Sequence, residues 1–366
     1  TYCVTCAECK ELFYEEDTVW ADHKQYCHDC SDIVLVRCEC CDELFREDSS
    51  RINYDGNIFL CNDCFHEDYC ECSTCGTFIY ADYAIFVDDA PYCSRDCVPS
   101  SFIEDYCYKP SPLFHGEGPL FMGIELEIDG GGEEDENAQE IVESLGELVY
   151  CKHDSSLDSG FEIVTHPMDL DFFYSKLPNF KTAFKTAMNL GYRSHDAETC
   201  GLHIHVSRNV LEEEDIAKII YINERLWPKL VVFSRRTHEQ IRQYAYRYLD
   251  EETHDDIDIL QLFAEAKYKS NRYFAINITP AHTIEFRIFR GTLNYKTFAA
   301  TVEFVHFIVG FAKKLSLEDM QKLTWKMLTD AVLQADYKYL PAYLEKRDLI
   351  PHKNIAENTT EERSIA

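Results

Sequence analysis

Cysteine is the residue that most constrains how this chain can fold, because 16 of its 18 cysteines lie within the first 107 of its 366 residues. They recur in three units, each with a C-x-x-C pair followed by a second close pair. The quartets are Cys6, Cys9, Cys27 and Cys30; Cys38, Cys41, Cys61 and Cys64; and Cys72, Cys75, Cys93 and Cys97. A unit of about 30 residues cannot build a sufficient apolar core, so metal binding has to contribute folding energy. The spacing therefore predicts three structural zinc sites, each with four cysteine ligands and no open position.

The three units, about 3–35, 36–69 and 70–107, resemble LIM-like or treble-clef zinc fingers. That resemblance is strong for zinc and implies that the units dock a protein or nucleic-acid partner. A disulfide scaffold is the alternative reading of such a pattern. The start of the sequence has no evident secretory leader, which favours reduced cysteines and a cytoplasmic protein. Cys3, Cys40, Cys70 and Cys107 are left outside the quartets.

Acidic residues outnumber basic ones, with 66 Asp and Glu against 35 Lys and Arg and a formal net charge of −31. Residues 1–109 alone hold 24 acidic and 7 basic residues, a net of −17. Charge of this sign disfavours binding to the phosphate backbone of nucleic acids. We therefore expect the zinc repeats to recruit a protein or peptide partner. The sequence has no run of about 18 apolar residues, so we expect no membrane span.

A Pro- and Gly-rich linker, 109–119, separates the zinc repeats (1–108) from a second domain, 120–353, which is followed by a polar tail, 354–366. Patterns of strand and helix alternate in the second domain, which predicts an α+β fold. Strands are predicted at 121–128, 148–152, 161–165, 202–207, 272–278 and 283–289. Helices are predicted at 134–145, 179–190, from 212 onward with a break at Pro228, at 295–315, and at 318–335 with Ser316 as its cap.

Polar side chains interrupt the apolar residues of four predicted strands. They are Glu125 and Glu127, His203 and His205, Glu285 and Arg287, each pair two residues apart, and Glu162 alone. Because strand side chains alternate, each pair faces one side of the sheet and its aliphatic neighbours face the other. One such pair is typical of the solvent face of a half-exposed strand. Together, these carboxylates would repel one another without cations, and they suit Mg²⁺ or Mn²⁺, whereas arginine on the same face suits phosphate.

Five segments occur in an order that resembles the prokaryotic and phage amidoligase family, relatives of glutamate–cysteine ligase and glutamine synthetase. They are G-I-E-L-E at 123–127, D-S-S-L…E-I-V-T-H-P at 154–167, G-L-H-I-H-V-S at 201–207, N-R-Y-F-A-I-N at 271–277 and T-I-E-F-R-I-F-R at 283–290. They span a little under half of the chain and exclude the zinc repeats. The resemblance implies an antiparallel sheet curved into a funnel, with helices outside and with metals and ATP phosphates inside.

The resemblance also implies roles for single residues. It implies two divalent-ion sites, one formed by Glu127 and Glu162 with Asp154 as a further candidate, the other by Glu125, His203 and Glu285. Arg287 would contact the acyl substrate or the transferring phosphate, and His205 would face the substrate carboxylate. The candidates for cofactor contacts are Arg272, Arg290 and Asn277. Asp154 is also the candidate for deprotonating or positioning the amine.

These roles lead to the hypothesis of an ATP-dependent carboxylate–amine ligase, which forms an amide or isopeptide bond through an acyl phosphate. Its cofactors would be ATP, Mg²⁺ or Mn²⁺, and three structural Zn²⁺. The alternatives are a phosphotransferase of the guanidino-kinase type, a non-catalytic zinc-finger adaptor, and a hydrolytic zinc held by His203 and His205. Two other features are read as structural: the pair Arg235-Arg236 as solvated, and the tyrosines of 243–248 as packing residues.

Overall fold

The computed structural model of this chain describes residues 2–49, 51–52, 59–87, 89–98, 101–249, 258–269 and 271–351. It divides the chain into two compact units, Thr1–Ser100 and Ser101–Ala366, which we call the N-terminal module and the C-terminal domain. The division differs from the predicted linker at 109–119, because Ile103–Glu104 forms a strand in the sheet of the C-terminal domain. The predicted tail at 354–366 lies outside the described residues.

The described residues of the N-terminal module form six short antiparallel hairpins. Its strands are β1 (Cys3–Thr5), β2 (Leu12–Tyr14), β3 (Thr18–Ala21), β4 (Lys24–Cys27), β5 (Leu35–Arg37), β6 (Leu44–Arg46), β7 (Arg51–Ile52), β8 (Phe59–Leu60), β9 (Tyr69–Glu71), β10 (Phe78–Tyr80), β11 (Ile85–Val87) and β12 (Ala90–Tyr92). Helix α1 (His28–Val34) follows β4, and α2 (Asn62–Asp68) follows β8. In the third cysteine unit a 3₁₀ turn, Arg95–Cys97, takes the place of the helix.

The same backbone turn recurs in all three cysteine units. The residue after each C-x-x-C pair has a positive φ: +67° at Lys10, +63° at Asp42 and +71° at Gly76. Its amide donates to the carbonyl of the first cysteine of the pair, at 3.1, 3.0 and 2.9 Å for Cys6, Cys38 and Cys72 respectively. Glycine adopts this conformation without a steric penalty, whereas other residues pay for it. The repeat read from the cysteines is therefore also a repeat of local structure.

A seven-stranded sheet forms the centre of the C-terminal domain. Its strands are β13 (Ile103–Glu104), β14 (Met122–Ile128), β15 (Val149–Lys152), β16 (Phe161–Thr165), β17 (Gly201–Ser207), β18 (Ile276–Asn277) and β19 (Thr283–Arg290). Their order is β13-β15-β16-β14-β17-β19-β18, and every neighbouring pair is antiparallel except β13 and β15. The predicted α+β class is confirmed as a domain of mixed helix and strand with this sheet.

Ten helices of the described chain belong to the C-terminal domain. They are α3 (Asp135–Val142), α4 (Leu170–Asn189), α5 (Glu213–Arg225), α6 (Trp227–Ser234), α7 (His238–Tyr244), α8 (Ile259–Tyr268), α9 (Tyr295–Lys314), α10 (Leu317–Gln321), α11 (Trp325–Gln334) and α12 (Leu340–Lys346). None of the helices in the described part of the chain is both long and apolar enough to cross a membrane.

One face of the sheet is apolar and joins a single large core with the helices. Ile124, Leu126 and Ile128 of β14 are at most 3% exposed and belong to this core. From α9, Phe298 is fully buried, and its ring meets those of two phenylalanines of α4, Phe180 and Phe184, at centroid distances of 5.1 Å each. Full burial of one such side chain contributes about 1.5–3 kcal/mol. The opposite face of the central strands is thereby left for polar residues.

The elements predicted at 272–278 and 318–335 are interrupted in the structure. The strand predicted at 272–278 is reduced to β18, because residues 273–275 pair with Tyr246, whose amide donates to the carbonyl of Tyr273 at 2.7 Å. The helix predicted at 318–335 is two helices, since the hydroxyl of Thr324 accepts from the amide of Met327 and starts α11 anew. The predicted Ser316 cap is confirmed.

Candidate metal and ligand sites

Each predicted cysteine quartet is assembled in the structure, with ligand sulfurs within 4.8 Å of one another. The sulfur pairs Cys9–Cys27, Cys41–Cys61 and Cys75–Cys93 are 4.0, 3.9 and 3.6 Å apart. Tetrahedral zinc with Zn–S bonds of 2.3 Å requires sulfurs about 3.8 Å apart. None of the 18 cysteines, all of which lie in the described part of the chain, forms a disulfide. The donor set and its spacing therefore fit structural zinc in all three units.

Backbone amides donate hydrogen bonds to the first sulfur of two quartets and favour its thiolate form. The amide of Cys27 donates to Sγ of Cys6, and that of Cys61 donates to Sγ of Cys38, each at 3.4 Å. Burial alone would raise the pKa of these thiols, but the backbone hydrogen bonds outweigh it and lower the pKa of Cys6 and of Cys38 to about 6. The thiolate is the form that binds zinc. Cys3, Cys40, Cys70 and Cys107 belong to none of the three quartets.

The polar face of the C-terminal sheet brings the predicted acidic and imidazole residues together. The strand register places Glu125 opposite His203, Glu127 opposite Glu162, and His205 opposite Glu285. These residues come from four strands that are adjacent in the order β16-β14-β17-β19. The alternation of side chains in each strand thus produces one shared face, as the sequence pattern predicts.

Two three-residue groups on this face have ligand atoms within 4.8 Å of one another. One is formed by Glu125, Glu162 and His203, the other by Glu125, His205 and Glu285. Nδ1 of His203 lies 3.5 Å from Glu125 and 3.7 Å from Glu285, and Nε2 of His205 lies 3.3 Å from Glu125. These groups differ from the predicted sets in placing Glu125 in both and in including His205. Carboxylate oxygens with imidazole nitrogens suit Mn²⁺ or Mg²⁺, so the donor set fits divalent cations.

The pKa values of two acidic residues on this face are shifted in opposite directions. Burial would raise the pKa of Glu125, but the charge of His205 and hydrogen bonds from both histidines hold it well below its usual range. Burial and the charge of Glu125 raise the pKa of Glu162 well above its usual range, although Nζ of Lys152 lies only 3.0 Å away. Lys152 has no counterpart in the predicted site. Its ammonium compensates part of the negative charge that four buried or half-buried carboxylates create.

Glu285 accepts hydrogen bonds from two other side chains. Arg287, from the same strand, donates to one of its oxygens, and Nδ2 of Asn277 donates to the other at 2.7 Å. Asn277 is 3% exposed. The structure therefore places this predicted cofactor contact beside Glu285, where it orients the carboxylate. Nδ1 of His205 lies 3.1 Å from the hydroxyl of Thr283, which orients that ring in turn.

A cleft of about 310 Å³ opens beside this face. Its cationic lining consists of Arg236, Arg272 and Arg287, and its other lining residues are Tyr106, Glu127, Asp154, Ser155, Ser156, Thr199, His203, Gln243, Tyr244 and Tyr273. The loop that carries Asp154 is held by Asp129, which accepts from the amides of Asp158 and Ser159 and from the hydroxyl of Thr199, at 3.1, 2.7 and 2.7 Å. Guanidinium groups suit the phosphates of a ligand, and the neighbouring carboxylates suit the cations that accompany those phosphates.

Arg236 is the main functional candidate that the sequence reading missed. The expectation of a solvated Arg235-Arg236 pair is wrong, because Arg236 is only 6% exposed and lines the cleft. Burial lowers its pKa to about 10 against the opposing charge of Glu127. Its Nε and Nη1 have no hydrogen-bond partner among the described residues. The signal available was weak: two arginines that follow an apolar helix and precede the N-cap Thr237.

Gly201 leaves space for this arginine. A Cβ at position 201 would lie 2.7 Å from Nη2 of Arg236 and 2.7 Å from Nε2 of His203. The amide of Gly201 also donates to Glu127. Tyr244, which was expected only to pack, lies under Arg236 with 5.6 Å between the guanidinium and the ring centre. Any side chain at 201 would therefore displace groups of the cleft.

The register between β17 and β19 shifts beside His203. Ile204 lies opposite Phe286 and Leu202 lies opposite Phe289, so Arg287 and Ile288 together face the single residue His203. This is the count of a β-bulge. Arg290, a predicted phosphate contact, comes after the bulge and is not among the residues that line the cleft.

Comparison with known proteins adds a match to a family. Residues 140–309, a little under half of the chain, match the model of a family described as "Putative amidoligase enzyme". No curated protein matches the chain. Among solved structures, the complex between Prokaryotic Ubiquitin-like Protein Pup and its Ligase PafA is similar with a TM-score of 0.31 and 11% identity, over 63% of this chain and 62% of that chain. This chain therefore spans less than two thirds of that protein's length. The matched residues hold Glu162, both histidines and Glu285, so this part of the chain is similar in sequence to amidoligases.

Proposed function

We propose that the C-terminal domain is an ATP-dependent carboxylate–amine ligase that forms an amide or isopeptide bond. The observation that carries this proposal is the pairing of two ligand sets in one place. Carboxylates and imidazoles fit divalent cations, and three arginines line the adjoining cleft. The family match over residues 140–309 supports the same reaction class. We also propose that the seven-stranded sheet is curved into a funnel, as in relatives of glutamine synthetase.

The proposed reaction has two steps. A substrate carboxylate attacks the γ-phosphorus of ATP, ADP leaves, and an acyl phosphate forms. The amine then attacks the acyl carbon, loses a proton, and phosphate leaves as the amide bond closes. The protein's task in such transfers is to position the groups and to neutralise their charge.

Residues of this chain are proposed for each part of that task. The divalent cations are held by a set of carboxylates and imidazoles with Glu127 beside it: Glu125, Glu162, His203, His205 and Glu285. When bound, such cations withdraw electrons from phosphoryl oxygens and bring the phosphates into line. Arg287, Arg236 and Arg272 bind phosphate oxygens or the acyl group. Asp154, at the edge of the cleft, positions the ammonium of the incoming amine or takes its proton.

We further propose that the N-terminal module recruits a protein or peptide substrate. Several of its apolar side chains stay exposed, with Tyr83 at 81%, Leu12 at 70% and Trp20 at 63%. Exposed aromatic residues are characteristic of protein interfaces, and the acidic charge of residues 1–109 favours a basic partner. Reduced cysteines suit a reducing compartment such as the cytoplasm.

Release of ADP from ATP and Mg²⁺, measured with pooled amino acids, polyamines or cell lysate, tests the reaction class. The expected result is ADP that depends on an amine, together with a product lighter by one water than its summed substrates in mass spectrometry. ADP with a phosphorylated product and no condensation would replace ligation by phosphotransfer. ADP release in no mixture would contradict the proposal and favour an adaptor.

A further inference from the structure

A second cavity, of about 440 Å³, lies in the C-terminal domain at the other residue of the Arg235-Arg236 pair. Arg235 ends α6 with a φ of +69°, in the left-handed region. Arg236 lines the cleft beside the acidic face, whereas Arg235 lines the second cavity. A non-glycine residue pays for this conformation, and here it separates two adjacent guanidinium groups into two different cavities.

Cationic side chains dominate the charged lining of the second cavity. They are Arg193, Arg235, Lys346 and Arg347, with His195 beside them, against the single carboxylate of Asp196. None of these four cations forms an ion pair with a carboxylate within the part of the chain that the structure describes. Charge of this sign is unusual on a chain whose net charge is −31. The positive charge of these four side chains is therefore available to an anionic ligand.

The guanidinium of Arg235 is fixed in place and only partly satisfied. Its Nη1 donates to the carbonyl of Gly291 at 3.1 Å, and its Nη2 donates to the carbonyl of Arg290. Its Nε is buried without a hydrogen-bond partner among the described residues. Arg347 donates to the carbonyl of Val232 at 2.8 Å, so it too is held by backbone. These carbonyl contacts orient the two arginines, and no carboxylate of the described residues neutralises their charge.

The electrostatic effect of the cluster is visible at His195. Burial lowers the pKa of His195, and the positive charges of Arg290 and Arg235 lower it further. Burial likewise lowers the pKa of Arg235; Tyr343 opposes this effect, and the charges of Arg347 and Arg290 add to it. Like charges therefore lie close enough to destabilise one another. A bound anion would remove this repulsion.

A long helix begins at the same cavity. Helix α9 has 20 residues, and both its N-cap, Asn294, and Thr297 in its first turn line the cavity. The side chain of Asn294 accepts from the amide of Thr297 at 3.1 Å, which confirms the cap. The amino end of a helix carries partial positive charge and favours anions. Helix and side chains thus contribute positive potential independently of one another.

We propose that this second cavity binds a small ligand through an oxyanion, either a phosphate group or a carboxylate. Arg193, Arg235, Lys346 and Arg347 supply the charged contacts, and the first turn of α9 supplies its dipole. The site is separate from the acidic face and its cleft, so it stands whether or not the domain is a ligase.

Calorimetric titration of the full zinc-loaded chain tests this site. Inorganic phosphate and citrate are titrated separately, without ATP or added divalent cations. The double variant Arg193→Gln/Lys346→Gln removes two exposed cations of the cavity. Its matched control, Lys322→Gln/Lys326→Gln, removes two exposed lysines outside it. Arg287→Gln tests whether the anion binds in the cleft instead.

The expected result is binding that weakens at least tenfold in the cavity variant and is unchanged in both other variants. Binding of phosphate alone would identify a phosphate group as the ligand's anion, and binding of citrate alone would identify carboxylates. Binding of neither anion to the unsubstituted protein would overturn the proposal. So would equal weakening in the lysine control, or weakening by Arg287→Gln in place of the cavity variant.

Discussion

The N-terminal module and the C-terminal domain are each stabilised internally by different forces. In the module, buried apolar residues form small clusters, one around Tyr26 and Leu35 and another around Phe45 and Leu60. The C-terminal domain has one continuous core that unites its sheet and helices. A chain segment with little core must obtain stability from cross-links or metal. The module should therefore depend on zinc, and the domain should not.

The two regions also differ in how they assemble polar ligands. In the module, a C-x-x-C pair brings two ligands together within a single turn, so local spacing suffices. In the domain, Glu125 meets His203 and Glu285 only because three distant strands pair in one register. Ligands in the module can therefore be preserved by short-range geometry, whereas those of the domain depend on the whole sheet.

Zinc removal should produce the largest difference between the regions. A strong chelator is expected to unfold the cysteine units, since structural zinc contributes about 10–16 kcal/mol in zinc-finger peptides. The seven-stranded sheet should remain folded. Hydrogen exchange followed by mass spectrometry resolves the two regions, and elemental analysis should find three zinc ions per chain beforehand. Protected amides in the cysteine units of a zinc-free chain would contradict the role given to the metal.

Phe298→Ala should produce the converse effect. The ring is fully buried between α4 and α9, and its removal is expected to cost the domain about 3–5 kcal/mol. Zinc content and the protection of the cysteine units should not change. Thermal unfolding, with exchange as the regional probe, measures both. Tyr268→Ala, at a side chain 91% exposed, is the aromatic control. A loss of zinc from the Phe298 variant would mean that the two regions fold as one.

Glu285→Gln tests the polar face without disturbing either core. The substitution removes a charge that Arg287 and Asn277 hold beside both histidines. If this carboxylate binds a catalytic cation, ATP turnover should fall at least a hundredfold, equivalent to about 2.7 kcal/mol. Zinc content should stay at the level of the unsubstituted protein. The exposed Glu318→Gln is the charge-matched control. Turnover that survives in the Glu285 variant would remove this residue from the site.

The smallest expected effect concerns the turn shared by the cysteine units. Gly76→Ala should weaken the third unit by about 1 kcal/mol, because alanine pays for a positive φ. Steric contact adds little, since the new Cβ would approach only Oε1 of Glu71, at 3.4 Å. Lys10→Gly should strengthen the first unit by a similar amount. Zinc retention against a competing chelator compares the two. A change of the same sign in both variants would exclude this account.

Elements with a strong period were predictable from sequence, and those decided by distant partners were not. The strand at 161–165 matches β16, and the polar pairs of β14, β17 and β19 do share one face. The segment at 272–278 looked like a full strand, but Tyr246 takes the hydrogen bonds of its first half. No pattern within 272–278 indicates that Tyr246 would take these backbone hydrogen bonds in place of a neighbouring strand.

The same limit applies to the candidate site. Spacing within a strand predicted which side chains are neighbours, but the grouping of Glu125 with His205 and Glu285 needs the register between strands. Arg236 was missed because its burial depends on the turn at Arg235 and on the absence of a side chain at Gly201. A pair of arginines after a helix is otherwise an ordinary solvent-exposed sequence.

The bulge in β19 makes the domain sensitive to chain length at one position. Ile288 and Phe289 are consecutive, yet both belong to the apolar core, so the alternation of faces changes phase between Arg287 and Arg290. A strand of the same residues without the bulge would alternate strictly, so that Phe289 would face the carboxylates and Arg290 would face the core. Deleting Ile288 would remove the extra residue and leave both side chains on their present faces. The number of residues at this position, and not only their chemical type, therefore sets the environments of Phe289 and Arg290.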